Sequence, residues 1–325
     1  MSSDSRPDFD VIVIGGGAAG LSGAVALARS RRRVAVIDSG RPRNAPAGHV
    51  HNYLGRESTP PGELLAAGRA ELAGYGGTVI DGTVTDAVRD PDHDTFVVEL
   101  AGGDRHTARR LLVAAGAVDE LPDIPGVREG WGSSVLHCPY CHGWEVRDRP
   151  IGVLATGSAA VHQALLFRQL SDDVVLFRNG ADLDRDQVEQ LAARGIAVID
   201  GAVAALESVD AGVTGVRLRT GAVFLRHVVV VAGRVEARAG FLASLGLRPE
   251  PVELHGVRIG SRIPVDGTGA TAVPGVWAAG NVTEPNAQVM ASAAAGLRAG
   301  AVINADLINA ETAAAVAAAR SRSAA

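Results

Sequence analysis

The chain contains no lysine, and all 31 of its basic residues are arginine. That excludes a Schiff-base lysine and the lysine of a P-loop. Cysteine is nearly absent, with two in 325 residues, too few for a disulfide framework. No segment reaches the roughly 20 apolar residues needed to span a bilayer. The apolar run from Val11 is cut by Gly15-Gly16-Gly17, so no signal peptide is read there and the expected compartment is the cytoplasm. The net charge of −5 comes without any basic block. Four arginines within 29–33 form the strongest local run. They fall at the end of an expected helix, where cations are favoured, so neither a nucleic acid nor a membrane is expected as partner.

What is present suggests two domains, because 325 residues at 47% hydrophobic content fill more than one core. Residues 1–8 are polar and expected to be disordered. The run 9–14 reads as a buried parallel strand. Gly15-Gly16-Gly17-Ala18-Ala19-Gly20 follows, with G-x-G-x-x-G at Gly15, Gly17 and Gly20. A helix is expected over 21–32, and a strand over 34–37 ends at Asp38. The first glycine makes a tight turn, the second admits a pyrophosphate, and the third lets helix and strand pack closely. The helix N-terminus attracts phosphate, and Asp38 stands where an acid meets a ribose hydroxyl. Strand, glycines, helix, strand and acid together predict a dinucleotide site.

Residues 40–62 read as a loop carrying His49, His51 and Asn52, either solvated or crossing the cofactor. A helix is expected over 63–74 and strands over 78–80, 83–88, 95–100 and 109–114. The last of these runs into a close-backbone turn at Ala115-Gly116-Ala117. Residues 121–126 read as a linker.

The only two cysteines follow, in His137-Cys138-Pro139-Tyr140-Cys141-His142-Gly143-Trp144. A C-x-x-C pair closes a small disulfide ring and exchanges electrons two at a time through a mixed disulfide. The flanking histidines also permit a zinc reading, but a structural zinc site draws on a second ligand pair, and none is present; no metal is expected. Cys-Pro-Tyr-Cys is also the glutaredoxin tetrapeptide, yet that fold begins close to its dithiol and this pair is mid-chain.

The pattern then restarts with a strand over 150–154, the turn Ala155-Thr156-Gly157-Ser158-Ala159-Ala160, a helix over 161–170 and a strand over 174–177. The fingerprint has become A-x-G-x-x-A, and Arg178-Asn179 stands where a 2′-phosphate favours paired arginines. Two readings remain for this unit: a reduced NADPH site, or a structural domain without nucleotide. A helix over 187–194, strands over 198–209, 213–218 and 228–232, and a return segment over 241–247 follow. Gly275 to Asn281 reads as strand and turn, residues 288–304 as an Ala-rich helix, and 311–325 as a separate helix that frays.

Two Rossmann-like units, a C-x-x-C opening the second, and a C-terminal return to the first resemble the low-molecular-weight thioredoxin reductases over nearly the whole chain. The resemblance implies an α/β fold of two three-layer domains for FAD and NAD(P), the first discontinuous (1–118 and 246–325), the second 119–245. It implies FAD at Gly15, Gly17, Ala18, Gly20, Asp38, Ser39, His51, Asn52, Val84, Ala115, Gly280, Asn281, Gln288 and Val289. A homodimer is implied as well. Where that family has an aspartate after its second cysteine, this chain has His142. Cys-Pro-Tyr-Cys-His-Gly-Trp-Glu is more similar to the dithiol oxidases that close disulfides in natural products such as holomycin and gliotoxin. That likeness implies a small-molecule dithiol as substrate, oxygen as acceptor giving peroxide, and NADP(H) not used. It makes Cys138, Cys141, His142 and His137 the candidate catalytic residues, the histidines taking protons near neutral pH. Tyr140 and Trp144 read either as core or as an apolar substrate surface. An NADPH-dependent thioredoxin reductase, and a redox sensor whose dithiol switches partner contacts, are the rival readings.

Overall fold

A computed structural model describes residues 7–157, 159–210, 212–254 and 256–324. Of the disorder expected over residues 1–8, residues 1–6 lie outside them, as do Ser158 in the second glycine turn and Ala325 at the tail; at Asp8 the expectation is corrected, because its N–H donates to Thr107 Oγ1 at 2.9 Å and its carboxylate accepts from the Thr107 N–H at 2.8 Å. The short run Phe9–Ile14 is the centre of a seven-stranded sheet. It pairs in parallel with Val34–Asp38 on one side and Arg105–Val113 on the other. Thr78–Asp81 extends one edge, the antiparallel strands Thr95–Leu100 and Val84–Asp90 extend the other, and Val276–Ala278 pairs in parallel with Arg105–Val113.

Strand alternation makes this a three-layer unit. Val11, Val13, Val34 and Val36 face a cluster containing Ala24 and Leu27 of the first helix, Ala18–Arg29, and Ile303 of the last. Ile12, Ile14 and Ile37 face the opposite cluster with Phe96, Leu111 and Leu242. The first and last helices cross on glycine: a Cβ on Gly296 would stand 1.8 Å from the Ala19 carbonyl oxygen, and one on Gly300 2.6 Å from that of Gly23.

The second unit has a five-stranded parallel sheet in the order Ala197–Ile199, Val174–Phe177, Ile151–Leu154, Val228–Val230, Val135–Leu136. The antiparallel strands Val203–Val209, Gly212–Leu218 and Val223–Leu225 stand beside it. The expected fold class, α/β with two Rossmann-like units, is borne out.

Several element expectations are corrected. The strand expected over 198–209 is broken at residues 200–202 into two strands belonging to different sheets. The last helix is continuous over Val289–Ala324, 36 residues, not two segments. Alanine favours helix throughout, and Glu311, the first residue of the second expected piece, is tied to Arg32 and Arg109 at 2.5 and 2.6 Å. A four-stranded sheet of Ala117–Glu120, Arg234–Ala237, Val257–Arg262 and Glu250–Leu254 connects the units and was not expected. Ala239 and Leu242, just beyond Arg234–Ala237, pack in the first unit's core. Among the described residues, no helix is long and apolar enough to cross a membrane.

Candidate active site

The cysteines sit at the carboxyl end of an edge strand, where α/β sheets hold their ligands. Val135–Leu136 delivers His137 and then Cys138, the N-cap of the one-turn helix Pro139–His142. Proline at the first helical position has no N–H to leave unpaired. The turn closes with Gly143 N–H donating to the Pro139 carbonyl at 2.8 Å. Only glycine fits there, because a Cβ would stand 2.3 Å from that same oxygen. Cys138 and Cys141 are joined as a disulfide, with Cα atoms 5.3 Å apart.

The disulfide opens into a cavity of about 740 Å³ that reaches across both units. Gly15, Gly17, Ala18, Asp38, Ser39, His51, Val84, Ala115, Gly280, Asn281, Gln288 and Val289 line it, together with His137, Cys138, Cys141 and His142. Gly20 and Asn52 do not. Gly20 acts from behind: its Cβ would stand 1.8 Å from the Gly15 carbonyl oxygen, so it allows the turn and helix to pack. Asn52 instead donates through Nδ2 to the Tyr140 carbonyl at 2.7 Å.

The phosphate end of the cavity has the features an extended dinucleotide requires. Gly15 holds φ 107°, open to glycine alone. Gly17 caps the first helix without a side-chain bond, leaving the helix N–H groups for a ligand. A Cβ on Gly17 would meet nothing within 4 Å. Asp38 ends its strand beside this turn and pairs with Arg69 of helix Pro61–Gly74. Asn281 donates through Nδ2 to the carbonyls of Glu284, Pro285 and Ala287 at 3.2, 3.1 and 2.9 Å. That leaves its Oδ1 as an acceptor for a ligand hydroxyl. These residues fit FAD.

The two candidate acid–base histidines differ. His137 stacks on Trp131 with ring centroids 5.3 Å apart. Burial, with the Arg43 guanidinium nearby, pushes it down to about 4, so it is neutral at neutral pH. His142 is also held below the ordinary histidine value by burial, but the Glu145 carboxylate pulls it back up. Its Nε2 is buried without a hydrogen-bond partner. Tyr140 and Trp144 are 65% and 66% exposed, so neither is core. Arg147 lies over the Trp144 ring at 4.2 Å.

Sequence reasoning missed several wall residues. Gln163 reaches across from the second unit's helix to donate to the His137 carbonyl at 3.0 Å. Arg43 and Asp119 pair at 2.5 Å within the cavity wall. Arg43 lies in the loop over 40–62, but nothing local pointed to Asp119 as its partner.

In the second unit, a smaller cavity of about 240 Å³ lies beside Gly157, Asp182 and Gln187. Arg178, the cation after its second strand, is half-exposed and is paired within the chain. It donates to the Ala181 carbonyl at 2.8 Å and meets Asp200 and Asp182 at 3.4 and 3.5 Å.

A dinucleotide cradle facing a redox disulfide defines a disulfide oxidoreductase of the two-unit type. The chain belongs to the pyridine nucleotide-disulphide oxidoreductase family, whose model matches residues 9–300. It is 30% identical to thioredoxin reductase sirT of Leptosphaeria maculans over 322 residues, covering 94% of this chain and 96% of that one. It is 33% identical to thioredoxin reductase tcpT of Claviceps purpurea (strain 20.1) over 259 residues, 74% of this chain and 78% of that one. Among solved structures, the crystal structure of HlmI matches with TM-score 0.89 at 47% identity, covering 97% of each chain. An oxidoreductase from Agrobacterium tumefaciens matches with TM-score 0.85 at 36% identity, over 93% of this chain and 99% of that one. The chain is thus a thioredoxin reductase-like disulfide oxidoreductase, and its family implies FAD binding.

Proposed function

We propose that the protein is an FAD-dependent dithiol oxidase that closes an intramolecular disulfide in a small-molecule dithiol of the dithiolopyrrolone or epidithio kind. The observation that carries this is the Cys138–Cys141 disulfide opening into the cavity that fits FAD. One substrate thiolate attacks Cys138 Sγ, and Cys141 leaves as a thiolate. The second substrate thiolate then attacks the sulfur joined to Cys138, and the cyclic disulfide departs with both protein sulfurs reduced. Held by Gly15, Gly17, Asp38 and Asn281, FAD would supply a two-electron acceptor for the reduced pair, with oxygen as the final acceptor giving hydrogen peroxide. His142 takes the thiol protons. His137, pushed down to about 4, is too weak a base at neutral pH to share this work.

Two features support oxygen rather than NADP(H) as the partner. The second fingerprint lacks two of its glycines, and Arg178 is bound to Asp182 and Asp200. The rival reading, an NADPH-dependent thioredoxin reductase, is favoured by the names of two relatives. Peroxide release with a reduced dithiolopyrrolone separates them. The oxidase reading expects turnover without NADPH. Flavin reduction by NADPH at a catalytic rate would give the site to the reductase. The resemblance extends the proposal to a cytoplasmic homodimer, which light scattering and cell fractionation test.

A further inference from the structure

The turn that carries the disulfide has an outer face that the described residues leave in water. Cys138 caps the helix Pro139–His142, Gly143 continues it with right-handed helical dihedrals (φ −69°, ψ −35°), and the 3-10 turn Trp144–Val146 follows without a break. Tyr140 and Trp144 stand four residues apart on this helical run, so their side chains share a face. Both rings are largely exposed. Arg147 takes only one side of Trp144. Its Nη1 donates to the Trp144 carbonyl at 2.7 Å while its guanidinium lies over one face of the indole. The other face is open.

A loop of the first unit adds a third apolar side chain. Asn52 is bonded to the Tyr140 carbonyl, and His51 Nε2 stands 3.5 Å from Oε1 of Glu145, the residue after Trp144. Two residues beyond Asn52, Leu54 sits in a turn closed by the Arg56 N–H on the Tyr53 carbonyl at 2.8 Å, and it is 88% exposed. Exposed apolar side chains scattered singly need no explanation, but a gathered set marks a binding surface. Its position names the occupant. Tyr140 lies between the cysteines and lines the cavity into which their disulfide opens. A small dithiol that brings one sulfur to Cys138 Sγ carries its carbon body a bond or two behind, beside this face. A flat apolar body can stack on the open indole face; a well-hydrated polar chain gains little there.

We propose that Tyr140, Trp144 and Leu54 form the platform for the carbon body of the substrate, and that the enzyme thereby selects small dithiols built on a planar apolar ring. This rests on the thiol exchange of the proposed function. In that exchange the dithiol passes two electrons and two protons to the Cys138–Cys141 disulfide, leaves as a cyclic disulfide, and the protein sulfurs end as two thiols. The platform acts on binding and leaves this chemistry unchanged.

The test compares two dithiols that close rings of the same size, polar dithiothreitol and flat ortho-benzenedimethanethiol. Each is mixed anaerobically with the holoenzyme, quenched with acid and alkylated, and free Cys138 and Cys141 thiols are counted by mass. Each rate is divided by that dithiol's rate with hydroxyethyl disulfide, which removes differences in thiol reactivity. At low dithiol concentration the wild type should prefer the aromatic dithiol by roughly tenfold, the scale of one aromatic stack with its buried area. Trp144→Ala should reduce that preference to about twofold or less, and Trp144→Phe should restore part of it. Leu54→Ala should reduce it about threefold. Trp144 and Leu54 are exposed, so neither change disturbs a core. A merely structural role would slow both dithiols alike and leave the preference intact; that result, or a wild type without preference, would overturn the platform while leaving the exchange standing. Faster reduction by a protein dithiol such as reduced thioredoxin, lost in Trp144→Ala, would give the face to a protein partner and overturn the proposal. A disulfide that neither small dithiol reduces would overturn the proposed function and the platform with it.

Discussion

Asn52 Nδ2 donates to the Tyr140 carbonyl at 2.7 Å, linking a loop of the first unit to a residue lying between the two cysteines. Asn52 holds φ 59°, a left-handed conformation that asparagine and glycine tolerate. Asn52→Gly therefore removes the tether without straining the backbone. Looser placement of the dithiol should slow anaerobic flavin bleaching by dithiothreitol roughly three- to tenfold. Thermal stability should drop by only about 1 kcal/mol, the value of one such bond. An unchanged bleaching rate in stopped flow would show that the tether does not position the pair.

His137 gives the fold an acid sensitivity. Its folded pKa is pushed down to about 4, below the ordinary value of 6.5. The unfolded chain therefore binds this proton first, and stability falls as pH drops from about 6.5 towards 4. His137→Phe keeps a ring against Trp131 and should flatten the denaturant midpoint over that window. An equally steep decline in the variant would assign the sensitivity elsewhere.

The last helix is pinned by Glu311, which meets Arg32 at 2.5 Å and Arg109 at 2.6 Å. Those guanidiniums lower its pKa to about 2. A depressed carboxylate stabilises above its unfolded value and loses that contribution as pH falls through the folded one. Glu311 is 43% exposed, so Glu311→Gln should cost no more than about 1 kcal/mol at neutral pH. The difference from wild type should fade between about pH 4.5 and 2, as read by urea midpoints.

Gly296→Ala tests the helix crossing that brings the start of the last helix to the cavity. Its Cβ would stand 1.8 Å from the Ala19 carbonyl oxygen, and backbone must move. Overpacking of this kind costs about 1–3 kcal/mol. We expect a lower melting temperature and easier loss of the yellow cofactor on dialysis. Unaltered melting would mean that the two helices can separate freely.

The parts legible in the sequence were those written locally. Glycine spacing, apolar runs and Asp38 placed the first strand–helix–strand, and the sole cysteine pair marked the redox turn. The missed parts depend on partners far apart in the chain. Ala117–Glu120 pairs with Arg234–Ala237, and both are largely half-exposed or exposed, so neither carries a buried-strand pattern. Glu145 and Glu57 look like ordinary surface acids until His51 stands between them. The orphaned nitrogen of His142 is visible only once the turn is folded.

The central claim is that a small dithiol discharges through Cys138 into a flavin beside it. The most direct measurement mixes the yellow protein anaerobically with a small dithiol and follows the oxidised-flavin absorbance in wild type and Cys138→Ser. The account predicts rapid bleaching in wild type and a stable yellow colour in the variant. Bleaching of Cys138→Ser at the wild-type rate would contradict it.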